Sequence, residues 1–471
     1  MQVFVLCTCL IFFQEVKKSE QKRLAVDKMG SMPVGRLVVG MSLPLMFSLL
    51  VQSLYNIVDS IVVARLSENA LTATLLAYPV QILMVAVAVG SGVGVNLLLS
   101  RTFGAKKYEE AGKIATTGLI LAAASSVVFL LLGIFCAKTF VSLFTSDPEI
   151  SVYCEQYLSI CMIFCTGTFI ETMCQRFLQA VGSTVLSMVS LVAGAVTNII
   201  LDPIMIFGLL GFPALGIRGA AIATVIGQWV GAVTAFLIHM KKNPEIKVTF
   251  REYRFQGRIA GEIYKVGLPT AVTQALGSIM VSAFNGILMP FSSTAVAFFG
   301  VYYKLQNFLF MPMNGLGQAA IPIVGYNYGN GNGKRVKEIM RTILPIGGGI
   351  AILGTAIFMI FPRQLLQLFS ASEEMLALGV PALRIISVTF LFATMTIVLG
   401  YAASGLGNGL INMIGTALRQ FIIFVPLAYF LAKYQGITRV WYSVWISETV
   451  AVCYSILSSW HEFRKKLKTI T

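Results

Sequence analysis

The chain has 471 residues, of which 57% are hydrophobic and 12% are charged. A soluble globular chain is about 45–50% apolar and about 25% charged. One water-soluble core cannot enclose so many apolar residues, which excludes a soluble globular protein. Lipid is the expected surrounding, because a membrane-spanning helix needs about 20 mainly apolar residues and such stretches recur from Leu37 onwards.

The net charge of +15 would suit a nucleic-acid partner, but the basic residues lie in a few short connections between apolar stretches. They are expected to set the orientation in the membrane, and no nucleic-acid partner is predicted. The chain contains two histidines and eight cysteines, without a C-x-x-C pair. These features argue against a transition-metal centre or a Ser-His-Asp triad, so no catalytic residue, no enzyme activity and no cofactor are predicted.

Residues 1–35 precede the first long apolar stretch and are predicted to form a cytoplasmic lead. Residues 1–13 are apolar and basic residues follow them, which reverses the order of a secretory signal. An apolar run of this length is also too short to span a bilayer.

Twelve membrane-spanning helices are predicted. Their approximate positions are 37–62, 70–100, 112–140, 150–178, 184–210, 217–240, 262–290, 295–326, 338–362, 374–403, 408–432 and 438–460. A polar connection, residues 241–261, divides an amino-terminal lobe of six helices (36–240) from a carboxyl-terminal lobe of six (262–460), and a basic tail follows (461–471). The predicted fold class is therefore an all-α membrane protein.

Lysine and arginine are distributed unevenly among the connections. The connections after the second, sixth and eighth spans and the carboxyl-terminal tail each carry at least four of them, whereas the odd-numbered connections carry two at most. Basic connections stay on the cytoplasmic side. The sequence therefore predicts a multi-pass protein of the plasma membrane with both termini in the cytoplasm.

The two predicted lobes repeat each other. Proline and glycine landmarks recur at a constant offset, which is 225 for the pairs Pro44 and Pro269, Gly104 and Gly329, and Gly182 and Gly407, and 220 for Gly216 and Gly436. Six spans return the chain to the face where it began, so both lobes enter the membrane in the same direction. A pseudo-two-fold axis along the membrane normal is expected, which is typical of transporters that work by alternating access.

Two aspartates inside predicted spans indicate a coupling site, because a carboxylate in lipid is expensive unless it is paired, wetted or protonated. Asp59 lies in the first span. Asn198 and Asp202 lie one turn apart on one face of the fifth, and Pro203 has no N–H to offer the carbonyl of Ile199. This oxygen-rich set suits a hard monovalent cation, or a proton shared between two dehydrated carboxyls. Residue type does not separate Na⁺ from H⁺.

The repeat provides an internal control for this site. At an offset of 225, Asp59 corresponds to Phe284, Asn198 to Ile423 and Asp202 to Leu427; at 220, Thr224 corresponds to Val444. The second lobe therefore keeps the scaffold without the polar set, as expected for a single coupling site in the first lobe.

Neutral polar side chains among aromatic and methionine residues in the seventh and eighth spans favour a cavity for amphipathic organic compounds. The predicted cavity residues, with one from the first span, are Tyr55, Gln274, Phe284, Asn307, Met311 and Asn314. Lys304 and Arg384, also within or near spans, are expected to reach the membrane surface or to pair with Glu171 or Glu448.

Several sequence pieces resemble the multidrug and toxic compound extrusion (MATE) family, over about residues 36–460. Besides Pro44 and Asp59, they are residues 100–104 (SRTFG), 179–182 (QAVG), 198–203 (NIILDP), 219–224 (GAAIAT), 324–329 (VGYNYG) and 445–448 (WISE). The chain looks similar to bacterial members of the MepA or DinF-like branches. It departs from members that carry an acidic residue in the seventh span, where this chain has Gln274.

The resemblance implies a secondary active exporter that exchanges cationic or amphipathic compounds for inward Na⁺ or H⁺, working as a monomer in membrane lipid. It also implies that Asp59, Asn198, Asp202 and Thr224 form the cation site, and that the first helix bends at Pro44. No metal other than Na⁺ is implied.

Two other functions compete with this interpretation. A flippase for lipid-linked precursors belongs to the same superfamily, but such proteins often have extra helices and a markedly cationic cavity. An intramembrane aspartyl protease would also have two membrane aspartates, but no Gly-x-Gly-Asp motif precedes the second one.

Overall fold

The computed structural model describes residues 25–468 except 146, 244, 247, 249–254 and 370. Most of the predicted lead, residues 1–24, therefore lies outside the described part. The secondary structure of the described residues is helical throughout, and nine continuous helices and two bent pairs are long and apolar enough to cross a membrane.

The twelve predicted spans are confirmed as helices, and the prediction of an all-α membrane protein is correct. They are span 1 (Val34–Ala64), span 2 (Glu68–Gly104), span 3 (Tyr108–Phe135), span 4 (Pro148–Ile163 and Thr166–Ala180), span 5 (Thr184–Phe207), span 6 (Ile217–Lys242), span 7 (Gly257–Leu288), span 8 (Ser293–Gly329), span 9 (Gly333–Ile360), span 10 (Glu373–Ser387 and Phe390–Gly405), span 11 (Gly409–Gln435) and span 12 (Tyr442–Lys468). Span 12 falls short of the apolarity of the others, because serines and Glu448 lie on its buried side.

The repeat is visible in details of the backbone. A short helix, Ala137–Ser142, precedes span 4, and its counterpart Pro362–Gln367 precedes span 10. Both spans 4 and 10 are then broken, and the two halves meet at 47° in each. Ser67 caps the amino end of span 2 by accepting the N–H of Ala70, and its counterpart Ser292 caps span 8 in the same way. Corresponding sequences therefore make corresponding structure in the two lobes.

The turns repeat as well. Gly182 and Gly407 both have positive φ angles, of 81° and 90°, and Lys106 (58°) corresponds to Gly331 (71°). Lys106 is the exception, because a side chain makes this left-handed region unfavourable and glycine enters it freely. All four turns lie on the membrane face that carries the connections after spans 2, 6 and 8, which is named the basic face below.

The lobes meet where spans 2 and 8 cross near the basic face. A Cβ atom at Gly104 would lie 2.0 Å from the backbone oxygen of Tyr326, and one at Gly329 would lie 2.1 Å from that of Arg101. These are the same contact seen from the two lobes, because Gly329 is the counterpart of Gly104 and Tyr326 is the counterpart of Arg101. Glycine permits the backbones to touch, so the interface is closed at the basic face.

Farther from the basic face, spans 2 and 8 become more exposed. The last four turns of span 2 are almost entirely buried, whereas Leu75, Tyr78 and Leu83 in its first half are each more than half exposed. Span 8 shows the same contrast between its buried carboxyl-terminal half and Phe308, which is 62% exposed. The tightly buried parts of spans 2 and 8 therefore lie in their halves near the basic face.

A helix before span 1, Ala25–Ser31, connects the two lobes at the basic face. Met29 is fully buried, and its carbonyl accepts hydrogen bonds from Asn327 at 3.1 Å and from Arg335 at 3.3 Å. Arg335 also donates to the carbonyl of Met32. The segment that leads into the first lobe is thus fixed to spans 8 and 9 of the second.

Replacing Gly104 by alanine is expected to destabilise the protein by about 1–3 kcal/mol, the usual cost of overpacking, because the new methyl group meets backbone atoms that cannot rotate away. Gly40→Ala is the matched control, since Gly40 lies in span 1 with nothing within 4 Å of its Cβ position. Thermal unfolding of both purified variants in detergent measures the difference. Equal midpoints would show that the helices do not cross so closely.

Candidate functional site

The structure brings together the four residues predicted to form the cation site: Asp59, Asn198, Asp202 and Thr224. Asn198 donates to Asp202 Oδ1 at 3.1 Å and lies 3.4 Å from the Thr224 hydroxyl. Asp59 of span 1 comes within hydrogen-bonding reach of Asp202. Asp202 is fully buried and Asn198 is 3% exposed. Spans 1, 5 and 6 therefore meet at this point.

The site contains more hydrogen-bond acceptors than donors. Asp59 Oδ1, Asp202 Oδ2 and Asn198 Oδ1 are all enclosed and have no hydrogen-bond partner. Buried polar groups are normally satisfied, because an unmade hydrogen bond carries a desolvation penalty. Oxygen atoms of carboxylates and amides are also the ligands that hard cations prefer. The residues present therefore fit a small cation, or a proton bound between the carboxyls.

Sequence reasoning missed two further side chains beside the site. Tyr157 of span 4 lies close to Asp59 and Thr224, and Gln81 of span 2 lies 3.5 Å from the Tyr157 hydroxyl. A single tyrosine and a single glutamine in apolar helices carry no signal in the sequence, since either could as well bond a neighbouring helix. Only the packing of span 4 against spans 2 and 6 identifies them.

The site is not at the middle of the spans. Asp59 lies five residues before the end of span 1 and Asp202 lies five before the end of span 5. At 1.5 Å per residue this places both about 7.5 Å from the helix ends, on the side away from the basic face. Pro44 lies fifteen residues earlier in span 1, which is a single unbroken helix. The predicted bend at Pro44 stays a prediction.

A cavity of about 190 Å³, named the central cavity here, adjoins the cation site. Asn198 and Thr224 belong to its wall, so the site and the cavity are continuous. Spans 1, 2, 4, 5 and 6 form most of the wall, and Gln274 and Gln318 contribute from the second lobe. The cavity is therefore lined mainly by the first lobe and closed by the second.

Two of the predicted cavity residues, Tyr55 and Gln274, line the central cavity. Phe284 does not, and that prediction is wrong: its ring is fully buried, within 4.6 Å of the Phe299 ring and 4.7 Å of the Phe424 ring. The hydrophobic effect of enclosing a phenylalanine ring explains this position. The other predicted residues lie on span 8 outside the cavity wall; they are Asn307, Met311 and Asn314.

Glu171 of span 4 is the acidic residue of the cavity wall. Gln175 donates to it at 3.0 Å, and a Cβ atom at Gly231 would lie 2.4 Å from its carboxyl oxygen. Glycine at position 231 therefore leaves the room that the carboxyl group occupies. The expectation that Lys304 or Arg384 pairs with Glu171 is wrong, because both basic side chains are exposed and neither forms an ion pair within the described residues.

A family model described as MatE matches residues 44–204 and again residues 269–430, together more than half of the chain. The chain belongs to the multidrug and toxic compound extrusion (MATE) family. The two matches begin at the landmark prolines Pro44 and Pro269, so they repeat at the offset of the landmarks. The resemblance in the sequence motifs is thus confirmed, and the chain is a member of a family of multidrug efflux transporters.

Relatives agree with this assignment. The chain is similar to the multidrug export protein MepA of Staphylococcus aureus (strain MRSA252), with 24% identity over 434 residues that cover 90% of this chain and 93% of the relative. It is also similar to a crystal structure of MATE in complex with MaL6, with a TM-score of 0.88 and 25% identity over 95% of this chain and 100% of the other. An outward-facing multidrug resistance MATE family transporter of the MOP superfamily matches with the same values.

The second lobe of this MATE protein differs at the positions that correspond to the cation site and cavity. Gly194 and Gln228 line the central cavity, and their counterparts are Arg419 and Glu448. Arg419 bonds Glu448 twice at 2.9 Å, from a π-helical turn at Leu418–Ile422. Glu448 thus pairs with Arg419, and not with the predicted Lys304 or Arg384. An ion pair fills the second lobe where the first has a cavity.

Replacing Arg419 by methionine is expected to destabilise the protein by about 3–5 kcal/mol, because it leaves the Glu448 carboxylate buried without a partner. Replacing Arg419 and Glu448 together by methionine is expected to be nearly neutral, since no charge then remains in the lobe core. Thermal unfolding of the two variants against the parent provides the measurement. A single variant as stable as the double one would contradict a buried pair.

Proposed function

We propose that the protein is an antiporter that exports cationic or amphipathic organic compounds in exchange for inward Na⁺ or H⁺. The three enclosed oxygen atoms without donors at Asp59, Asn198 and Asp202 carry this proposal. A bound cation or proton supplies the positive charge that they lack. Membrane relatives that export drugs, such as MepA, support the substrate class.

The geometry supports a direct coupling of ion and substrate. Asp59 and Asp202 belong to different spans, so without a cation or proton their charges repel each other and favour separation of spans 1 and 5. Tyr55 lies one turn before Asp59 on span 1 and lines the central cavity. A movement of span 1 that follows ion binding therefore also changes the cavity wall. Ion and substrate thus act on the same helix, and each favours a different position of it.

We infer that the basic face is cytoplasmic, because the positive-inside rule applies to its connections. The lobes touch at this face, through the crossing of spans 2 and 8. The arrangement thus corresponds to a state that is closed to the cytoplasm and open outward, and the similarity to an outward-facing MATE family transporter supports it. Alternating access then requires the Gly104 and Gly329 contact to separate.

Glu171 is the group that we expect to attract the positive end of a substrate. It lies in the wall of the central cavity, and its partner is a neutral amide. A carboxylate in a dehydrated wall is stabilised by a cation that enters the cavity. Aromatic and methylene surface from Tyr55 and Leu49 lies in the same wall and suits an amphipathic body.

Replacing Asp59 or Asp202 by asparagine is expected to abolish gradient-driven ethidium transport in proteoliposomes, with at least a tenfold loss of rate. The neutral amide neither takes up a proton nor supplies the negative charge that holds a cation. Glu262→Gln is the control, since the Glu262 side chain is 50% exposed at the start of span 7. Imposing a Na⁺ gradient and a pH gradient separately identifies the ion. Transport at the parent rate by both aspartate variants would refute the proposal.

Replacing Glu171 by glutamine is expected to weaken ethidium binding about tenfold, the worth of a hydrogen bond or contact to a charged group. Fluorescence polarisation of the dye with purified protein gives the dissociation constant. Glu155→Gln, in the other half of span 4, is the control because Glu155 is not part of the cavity wall. Unchanged affinity in Glu171→Gln would place the cationic end elsewhere.

A further inference from the structure

A second charged residue, Arg176, lies in the wall of the central cavity. It is 6% exposed. One guanidinium nitrogen, Nη1, donates to Gln179 at 2.8 Å and to Gln318 at 3.1 Å. Its Nε is enclosed and has no partner. The stem of the side chain packs against span 2, where a Cβ atom at Gly92 would lie 2.9 Å from it. Both named acceptors are neutral amides.

The charge of Arg176 is not balanced by the protein. Among the ion pairs of the described residues, none includes Arg176, and none includes Glu171. A guanidinium group is always protonated, and a buried charge without a partner is strongly unfavourable. By contrast, Arg419 in the second lobe has its carboxylate at 2.9 Å. The central cavity thus holds a permanent positive charge that lacks an anion.

Glu171 and Arg176 are five residues apart on one helix, Thr166–Ala180. Five residues correspond to a rise of about 7.5 Å, so the two charges face different levels of the cavity without neutralising each other. Six glutamines line the remainder; they are Gln52, Gln175, Gln179, Gln228, Gln274 and Gln318. A glutamine can donate or accept, so this wall is compatible with groups of either sign.

From this arrangement we propose that the cavity binds zwitterionic amphipathic compounds, with the ammonium or other cationic group at Glu171 and a carboxylate or comparable anionic group at Arg176. The inference rests on the proposed export function and specifies its substrate class. An arginine fork suits a carboxylate because two N–H groups can donate to its two oxygen atoms. Arg176 belongs to the cavity wall, and the part of its guanidinium group that does not bond Gln179 and Gln318 supplies this capacity.

A purely structural role for Arg176 makes a different prediction. The bond from Arg176 to Gln318 joins the two lobes, so the arginine could serve only to hold them together. In that case its removal affects all ligands alike, whatever their charge. A role in recognition affects only those ligands that carry an anionic group.

Two dyes separate these roles because they share one cationic ring system. Tetramethylrhodamine carries a free carboxylate, and its methyl ester does not. Binding of each dye to the purified full-length protein is measured by fluorescence polarisation. We expect Arg176→Gln to weaken binding of the free acid about tenfold, as for a hydrogen bond to a charged group, and to change binding of the ester less than about twofold. Glu171→Gln should weaken both dyes, since both are cationic.

Two further variants control for folding and for the lobe contact. Gln318→Ala removes the inter-lobe acceptor and keeps the charge, so the ratio of the two dissociation constants should stay at the parent value whatever the absolute affinities. Arg176→Lys keeps the charge without the fork and should retain part of the preference for the free acid. If Arg176→Gln yields no folded protein, the ratios for the parent and for Arg176→Lys still decide the question.

The inference is overturned if the parent protein binds the ester as tightly as the free acid, or if Arg176→Gln and Gln318→Ala change both dyes equally. These results do not depend on antiport. If the dye preference is as expected but neither a Na⁺ nor a pH gradient drives transport, the proposed antiport fails and the binding inference stands. If gradients drive ethidium transport without any dye preference, only the zwitterion inference fails.

Discussion

Asp59 and Asp202 approach each other where spans 1, 5 and 6 meet, and the Asn198 amide donates there to Asp202 Oδ1 and to the Thr224 hydroxyl. Water is not freely available there, since Asp202 is fully buried. The two carboxyls therefore need a cation or a proton, and each such ion changes the force between two helices. Tyr55 lies one turn from Asp59 on the same helix, so the proposed response of span 1 to that force would also move the wall of the central cavity.

The two lobes show how one scaffold serves two purposes. Both keep the capping serines, the broken helices and the positive-φ turns, because these follow from local sequence that the duplication preserved. Phe284 takes the place of Asp59, and its ring packs against Phe424 and Phe299. Arg419 and Glu448 fill the place of the cavity. At these positions the second lobe thereby has an aromatic cluster and a buried ion pair, where the first lobe has two carboxyls and a cavity.

Glycine has a specific role at the contact between the lobes. At Gly104 and Gly329 the neighbouring atoms belong to the backbone, and a methyl group would meet them at 2.0 and 2.1 Å. Without a strong hydrophobic force between helices in lipid, such close packing is a main source of association. The proposed alternating access requires this packing to separate.

The sequence by itself determined the fold class, the twelve spans, the duplication and the two membrane aspartates that the structure brings together. Each of these follows from a local pattern: apolar length, repeated landmarks at a constant offset, or an acidic residue where lipid disfavours one. Only the tertiary structure decided which side chains share a cavity. Phe284 and Gln274 are equally suitable residues in one helix, and packing placed one in the aromatic core and the other at the cavity wall. Glu171, Arg176 and Tyr157 acquire meaning only through neighbours on other spans, because their charges and hydroxyl groups are paired or unpaired according to contacts that no local pattern contains.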